Sequence, residues 1–198
     1  LIVAESSPAE IISDPVIKLD DLEIQVLDLP GHSIGQKGFL VDGVAFVADS
    51  LFSSELVNKH VLIYMYNPLE FLATLERLKS LKADWFVGGH FAPGKPIEKL
   101  IADNKRQVET AFAFLRKVLT TPQPLDKLVK EYLSNYRVRK NPWDHFLYRS
   151  TLNGFLSSLK LLGEAEVKVM DHLLVWYATG TPPAASGAAS GKTPQAIS

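Results

Sequence analysis

Apolar and polar residues alternate through the first third of the chain. Val16-Ile17-Lys18-Leu19 and Leu22-Glu23-Ile24-Gln25-Val26-Leu27 flank Asp20-Asp21, the pattern of two half-buried strands joined in a hairpin. Gly38-Phe39-Leu40-Val41 and Val44-Ala45-Phe46-Val47-Ala48 flank Asp42-Gly43, a dipeptide that accepts the positive φ angles a tight hairpin turn needs. Asp49 follows that second strand directly. The period then changes. Asn67-Pro68-Leu69-Glu70 offers an N-cap, a proline at the first helical position and a capping-box Glu, and Leu69, Leu72, Leu75, Leu78 and Leu81 predict the core stripe of an amphipathic helix. Asp84-Trp85-Phe86-Val87 reads as a short buried strand that delivers His90 at its end.

From Ile97 onward the pattern is helical. Ile97, Leu100, Ile101, Asn104, Val108, Ala111, Phe112, Leu115 and Leu119 keep helical spacing up to Thr121-Pro122, which predicts a helix of about 20 residues. A second helix begins near Pro124 with Leu125, Leu128, Val129, Tyr132 and Leu133. A third carries Leu152, Phe155, Leu156 and Leu159 and closes at Gly163. Ala165, Val167 and Val169 alternate with charged residues, Met170-Asp171-His172 can turn, and residues 173–177 form a β-type run. Helix, helix, helix, hairpin is the order of a winged helix. Beyond Thr179 the chain is Ala, Gly, Ser, Pro and Thr with almost no large apolar side chain, the composition of a disordered tail. The expected division is residues 1–97 as an α/β unit, 98–178 as a mainly helical, winged-helix-like segment and 179–198 as tail. There is no internal repeat.

Composition narrows the chemistry. A chain of 198 residues with 46% apolar residues can bury one sizeable core and a small second module. A net charge of -1 gives no global steering towards nucleic acid or anionic membrane. The absence of cysteine excludes disulfides and thiolate ligands, so any metal is held by N and O atoms. No apolar run approaches the length of a membrane span, and Leu1-Ile2-Val3-Ala4 lacks the features of a signal peptide, so a soluble, cytoplasmic protein is expected. The start on Leu, directly in an apolar stretch, suggests a fragment or processed product.

Three short pieces carry the candidate chemistry: Pro30-Gly31-His32-Ser33, Ala48-Asp49-Ser50-Leu51-Phe52 and Gly88-Gly89-His90-Phe91. Each puts one imidazole or carboxylate at a strand end, and two histidines with one carboxylate suit zinc, iron or manganese. In this order and with these flanks they resemble the second half of the metallo-β-lactamase fold. Residues 29–35 are similar to its PGH(S/T)xG turn, residues 48–52 to its GDxLF strand end, and residues 89–93 to its GHxxP turn. Ala48 stands where Gly is usual, and Gly88 where Pro is common.

That resemblance implies half of an αββα sandwich, spanning about residues 22–93, followed by the winged-helix-like segment found in one branch of the family. It implies two divalent metal ions, zinc foremost, with iron or manganese as alternatives. His32 would complete one metal's histidine set, Asp49 would bridge the ions and serve in catalysis, and His90 would bind the second. The implied reaction is glyoxalase-like hydrolysis of an ester, thioester or lactone by a metal-bound hydroxide on a small-molecule substrate. A ribonuclease of the same superfamily and a non-enzymatic winged-helix binding module on a degenerate sandwich are the alternatives. The family's HxHxDH string does not occur in the chain, so each metal keeps one His and a share of Asp49. The chain alone is expected to be inactive, and either a preceding half of the fold or a partner chain, including a homodimer, is expected to complete the sandwich and cover its inner face.

Other candidates have plainer readings. His60, His145 and His172 fit no ligand pattern and are expected at the surface or in caps. Ser33 and Ser50 adjoin the ligands and are expected in ordinary turn chemistry, while Tyr64 and Tyr66 lie where the family's substrate-side loops vary. Arg137, Arg139 and Lys140 form a basic cluster, yet between Ile101 and Trp176 there are twelve Lys or Arg against eight Asp or Glu, a modest excess for nucleic-acid binding.

Overall fold

The computed structural model describes residues 14–136 and 141–180. The Leu1-Ile2-Val3-Ala4 start, the Arg137, Arg139 and Lys140 cluster and residues 181–198 of the expected tail lie outside the described residues.

The alternating first third forms one sheet of five strands in chain order: β1 (Val16–Leu19), β2 (Leu22–Asp28), β3 (Lys37–Val41), β4 (Val44–Phe52) and β5 (Trp85–Gly94). The first four are joined antiparallel, and β5 lies parallel to β4 after a helical crossover. Asp42 and Gly43 adopt φ angles of 48° and 76°, which gives the primed turn that fits the twist of β3 and β4.

Two strands run further than the sequence pattern indicates. Asp49 does not follow β4 but lies inside it, and His90 is not at the end of its strand but within β5. The cause is a pair of register shifts between β4 and β5, after Phe46 and after Ala48, together with a left-handed φ of 46° at Ala48. The irregularity breaks the alternation of side chains without ending the pairing, so a reader of periodicity stops too early.

Two helices occupy the crossover. The short α1 (Ser54–Lys59) is capped by the Ser53 hydroxyl, which accepts from Leu56 N, and has no clear signal in the sequence pattern. In α2 (Pro68–Ser80) the Asn67 side chain accepts from Leu69 and Glu70 N, as an N-cap does, while the Asn67 N–H that a capping-box Glu70 would take donates to Gly31 O instead. Its buried face is Pro68, Phe71, Thr74, Leu75 and Leu78 rather than the full leucine series. Positions three apart fall behind a turn of 3.6 residues, so Leu69, Leu72 and Leu81 rotate to the flanks and are only partly buried.

The long α3 (Glu98–Val118) packs against α1, α2 and β4. After it come β6 (Gln123–Pro124), α4 (Leu125–Asn135), α5 (Pro142–Leu161), β7 (Ala165–Met170) and β8 (Leu173–Ala178). The two-residue β6, absent from the sequence reading, makes the terminal hairpin a three-stranded sheet in the order β6-β8-β7. Gly163, with φ of 74°, closes α5 by donating its N–H to Lys160 O, the role its position suggested.

One hydrophobic core runs through both parts. Ala45 and Val47 of β4, Leu75, Val108 and Leu115 of α2 and α3, and Leu152 and Phe155 of α5 are all fully buried within it. The opposite face of the five-stranded sheet is different. Cross-strand partners share a face, so the pairs Ile17–Ile24, Val26–Phe39, Phe39–Phe46 and Val44–Trp85 align an apolar row across all five strands. Phe46 is 43% exposed and Trp85 is 55% exposed on that row. Among the described residues no helix is long and apolar enough to cross a membrane.

Candidate metal centre

The three pieces singled out in the sequence meet at one end of the sheet. Asp49 stands between the two imidazoles, with its Oδ2 3.6 Å from His32 Nε2 and its Oδ1 3.6 Å from His90 Nε2. The carboxylate thus turns a different oxygen to each histidine. A separation of 3.6 Å is too long for a direct hydrogen bond. It fits two ligands of one tetrahedral ion, since bonds of about 2.1 Å at a tetrahedral angle put their donor atoms about 3.4 Å apart. The donor set and its spacing therefore suit one ion on each side of Asp49.

Each position is incomplete on its own. Among the described residues no group of three or more His, Cys, Asp and Glu side chains could hold a metal ion. One imidazole and one carboxylate oxygen fall short of the three or four protein ligands that zinc sites use.

The turn carrying His32 is held from several sides. Gly31 has a φ of 128°, and a Cβ there would lie 2.3 Å from the backbone N of Phe71, so only glycine lets the turn lie against α2. Asn67 N donates to Gly31 O at 2.9 Å, Tyr66 N donates to His32 O at 3.2 Å, and the Thr74 hydroxyl donates to Pro30 O at 2.7 Å. His32 Nδ1 lies 2.8 Å from Tyr64 O. A carbonyl only accepts, so Nδ1 carries a proton and Nε2 is the nitrogen turned towards Asp49, the one a ligating histidine would offer.

Asp49 and His90 are placed by their strands. A Cβ on Gly89 would meet Asp49 Oδ1 at 2.4 Å, so the carboxylate in this position uses the room that the glycine leaves. Ser53 N donates to His90 O at 3.2 Å and ties the end of β4 to β5. Phe52, buried, forms the floor: its ring lies 5.6 Å from that of His90 in a stacked arrangement and 5.5 Å from that of His32.

The other three histidines lie away from the cluster, whereas Tyr64 and Tyr66 adjoin His32. His60 is the exposed C-cap of α1, His145 is exposed on α5, and His172 is exposed in the β7–β8 turn with a φ of 60°. Ser50 Oγ is buried, accepts from Gln36 Nε2 at 2.6 Å and fastens the turn before β3, while Ser33 Oγ donates to Gln36 Oε1. Tyr64 meets His32 twice, through its backbone carbonyl and through its ring, which packs edge-to-face on the imidazole at 5.5 Å. Sequence reasoning did not mark Phe52 as part of the site, nor Asn104, which stands in the apolar stripe of α3 and bonds the Phe52 backbone, although a polar residue in such a stripe signals a specific buried partner.

With this geometry in place, the likeness to known structures gains meaning. The chain resembles a metallo-beta-lactamase family protein from Thermus thermophilus, with 20% identity and a TM-score of 0.66 over 87% of this chain and 55% of that one. It also resembles a beta-lactamase domain protein from Burkholderia ambifaria, with 15% identity and a TM-score of 0.73 over 88% of this chain and 54% of that one. No protein-family model and no curated protein matches it. The described residues thus have the metallo-β-lactamase superfamily fold in part, and the chain spans about half the length of the structures it matches.

Proposed function

We propose that this chain supplies one side of a two-metal hydrolytic centre: His32 to one ion, His90 to the other, and Asp49 to both. The observation that carries the reading is the pair of Nε2 atoms set 3.6 Å from different oxygens of one carboxylate. The remaining ligands come from a further part of the sandwich, on the same polypeptide or on a partner, packed against the apolar face that runs through Phe46 and Trp85. Two divalent ions, zinc foremost, supply Lewis acidity and a water activated near neutral pH. The Nδ1–H bond to Tyr64 O leaves His32 Nε2 to hold one ion, Phe52 keeps water from the underside of both rings, and Asp49 would offer one oxygen on each side.

The proposed reaction is glyoxalase-like hydrolysis of an ester, thioester or lactone. Helices α3 to α5 and the three-stranded sheet act as a winged-helix-like flank to the site. Zinc titration of the chain by calorimetry tests the ligand assignment. Weak binding that drops at least tenfold in Asp49→Ala, and partly in His32→Ala and His90→Ala, is expected. Binding indifferent to all three changes would refute it.

A further inference from the structure

Helix α3 lies behind the cluster, and two of its buried amides bond to backbone next to it, one at the end of β4 and one at residues 57–63, just before Tyr64. Asn104 Oδ1 accepts from Phe52 N at 3.3 Å, and its Nδ2 donates to Phe52 O and to Leu100 O, both at 2.8 Å. One turn further along, Gln107 Nε2 donates to Val57 O at 2.9 Å and to His60 O at 2.7 Å, while its Oε1 accepts from Ile63 N at 2.9 Å. Asn104 is 2% exposed and Gln107 is 9% exposed, so neither has water as a substitute.

These bonds fall where regular structure runs out. Phe52 is the last residue of β4, three past Asp49, and its ring touches both histidines. Residues 60–67 join α1 to α2 with no helix or strand of their own, and they hold Tyr64, whose carbonyl takes the His32 proton, and Tyr66, whose N–H donates to the His32 carbonyl. Irregular backbone has no ladder to fix it. A side-chain amide that satisfies three main-chain groups at once does so instead.

We propose that Asn104 and Gln107 are positioning residues of the site. Asn104 fixes the strand end that sets Asp49 and Phe52 against His90, and Gln107 fixes the segment that selects the tautomer and ring orientation of His32. The structural claim is independent of metal, while its consequence for catalysis rests on the ligand assignment proposed above.

The decisive measurement is the His32 tautomer, read from imidazole nitrogen shifts in metal-free protein at a pH where those shifts themselves show a neutral ring. In the wild-type chain the Nδ1–H form dominates. Gln107→Met keeps the volume and apolar stem but removes all three hydrogen bonds. It is expected to shift the tautomer ratio about fivefold or more towards Nε2–H, the scale of one displaced hydrogen bond. Thr151→Ala serves as the control, because Thr151 is buried in α5 and its hydroxyl bonds only Leu147 O, so it lowers stability without moving the tautomer. A Gln107→Met protein that loses stability but keeps the wild-type tautomer would overturn the proposal. Should that variant fail to fold, hydrogen exchange in the wild type decides: the Ile63 and Phe52 amides must exchange as slowly as those of the β3–β4 pairing, and free exchange at either overturns it. Absence of zinc binding would count against the ligand assignment and leave this result untouched.

Discussion

The two faces of the five-stranded sheet are built from the same kinds of residue and meet opposite fates. On one side Ala45, Val47 and Phe86 are sealed by the chain's own helices. On the other, Phe46 and Trp85 carry similar apolar area and face outward. Neighbouring residues of one strand, Trp85 and Phe86, thus differ from 55% to 2% exposure. The contrast shows that the chain's own helices cover one face of the sheet and leave an apolar row open on the other.

The largest expected effect is at that adjacent pair. Phe86→Ala removes a filled core position and should cost about 3–5 kcal/mol, whereas Trp85→Ala should cost less than about 1 kcal/mol in the isolated chain. Urea unfolding of both variants reads the difference, and equal losses would break the comparison. A complementing half of the fold should reverse the second result, since Trp85 would then become a core residue.

Next in size is the end of the sheet where the site sits. Gly89→Ala should turn the Asp49 carboxylate aside, because its Cβ would lie 2.4 Å from Oδ1, the free end of a side chain that can swing, so the loss should show in zinc binding while the cost in stability stays below about 1 kcal/mol. Gly94→Ala in the same strand meets nothing closer than 4.0 Å and should be near neutral in the same unfolding series. Ala48→Gly acts in the other direction. An alanine at φ of 46° carries a left-handed penalty of about 1–2 kcal/mol, partly offset by the greater freedom of glycine in the unfolded chain, so a net gain of about 0.5–1 kcal/mol is expected. Calorimetric melting should show the rise in Tm, and a fall would mean the residue is not left-handed in solution.

The smallest effect sets the scale for an exposed contact. Arg116 Nε and Nη2 grip Glu164 at 2.6 and 3.1 Å, joining α3 to the start of the terminal hairpin. The Arg116 guanidinium holds the Glu164 carboxyl below its ordinary value of 4.5. A lowered folded-state value means that the contribution is complete above the ordinary carboxylate range and disappears as pH falls through the folded value. Both side chains are more than a third exposed, so screening limits the pair to about 0.2–1 kcal/mol. The stability gap between wild type and Glu164→Gln should therefore be small at neutral pH and close on acidification.

Much of this fold was legible in the sequence. The Asp42-Gly43 turn, the Asn67 cap, the Gly163 helix end and the Met170–Leu173 turn region each depend on chemistry within a few residues, and the structure contains all four. The short α1 escaped although its Ser53 cap is local, and the rest of what escaped depended on distant partners. The extension of β4 through Asp49 follows from its pairing with β5, the buried face of α2 from where the sheet lies, and β6 from a pairing with the far-off β8.

The site divides in the same way. His32, Asp49 and His90 could be named from three short strings, because glycine-flanked turns and ligand types are local properties. Their convergence on the two oxygens of one carboxylate could not, since residues 32, 49 and 90 are brought together only by the β4–β5 pairing and the turn packed on α2. Nor could the roles of Tyr64 as a carbonyl acceptor, Phe52 as the floor, or Asn104 and Gln107 as anchors of irregular backbone. Sequence alone determines which side chains can ligate and where the chain can turn, through local sterics and hydrogen bonding. Only tertiary packing decides which of them share a space of a few ångströms, and which face of a sheet is left apolar and open.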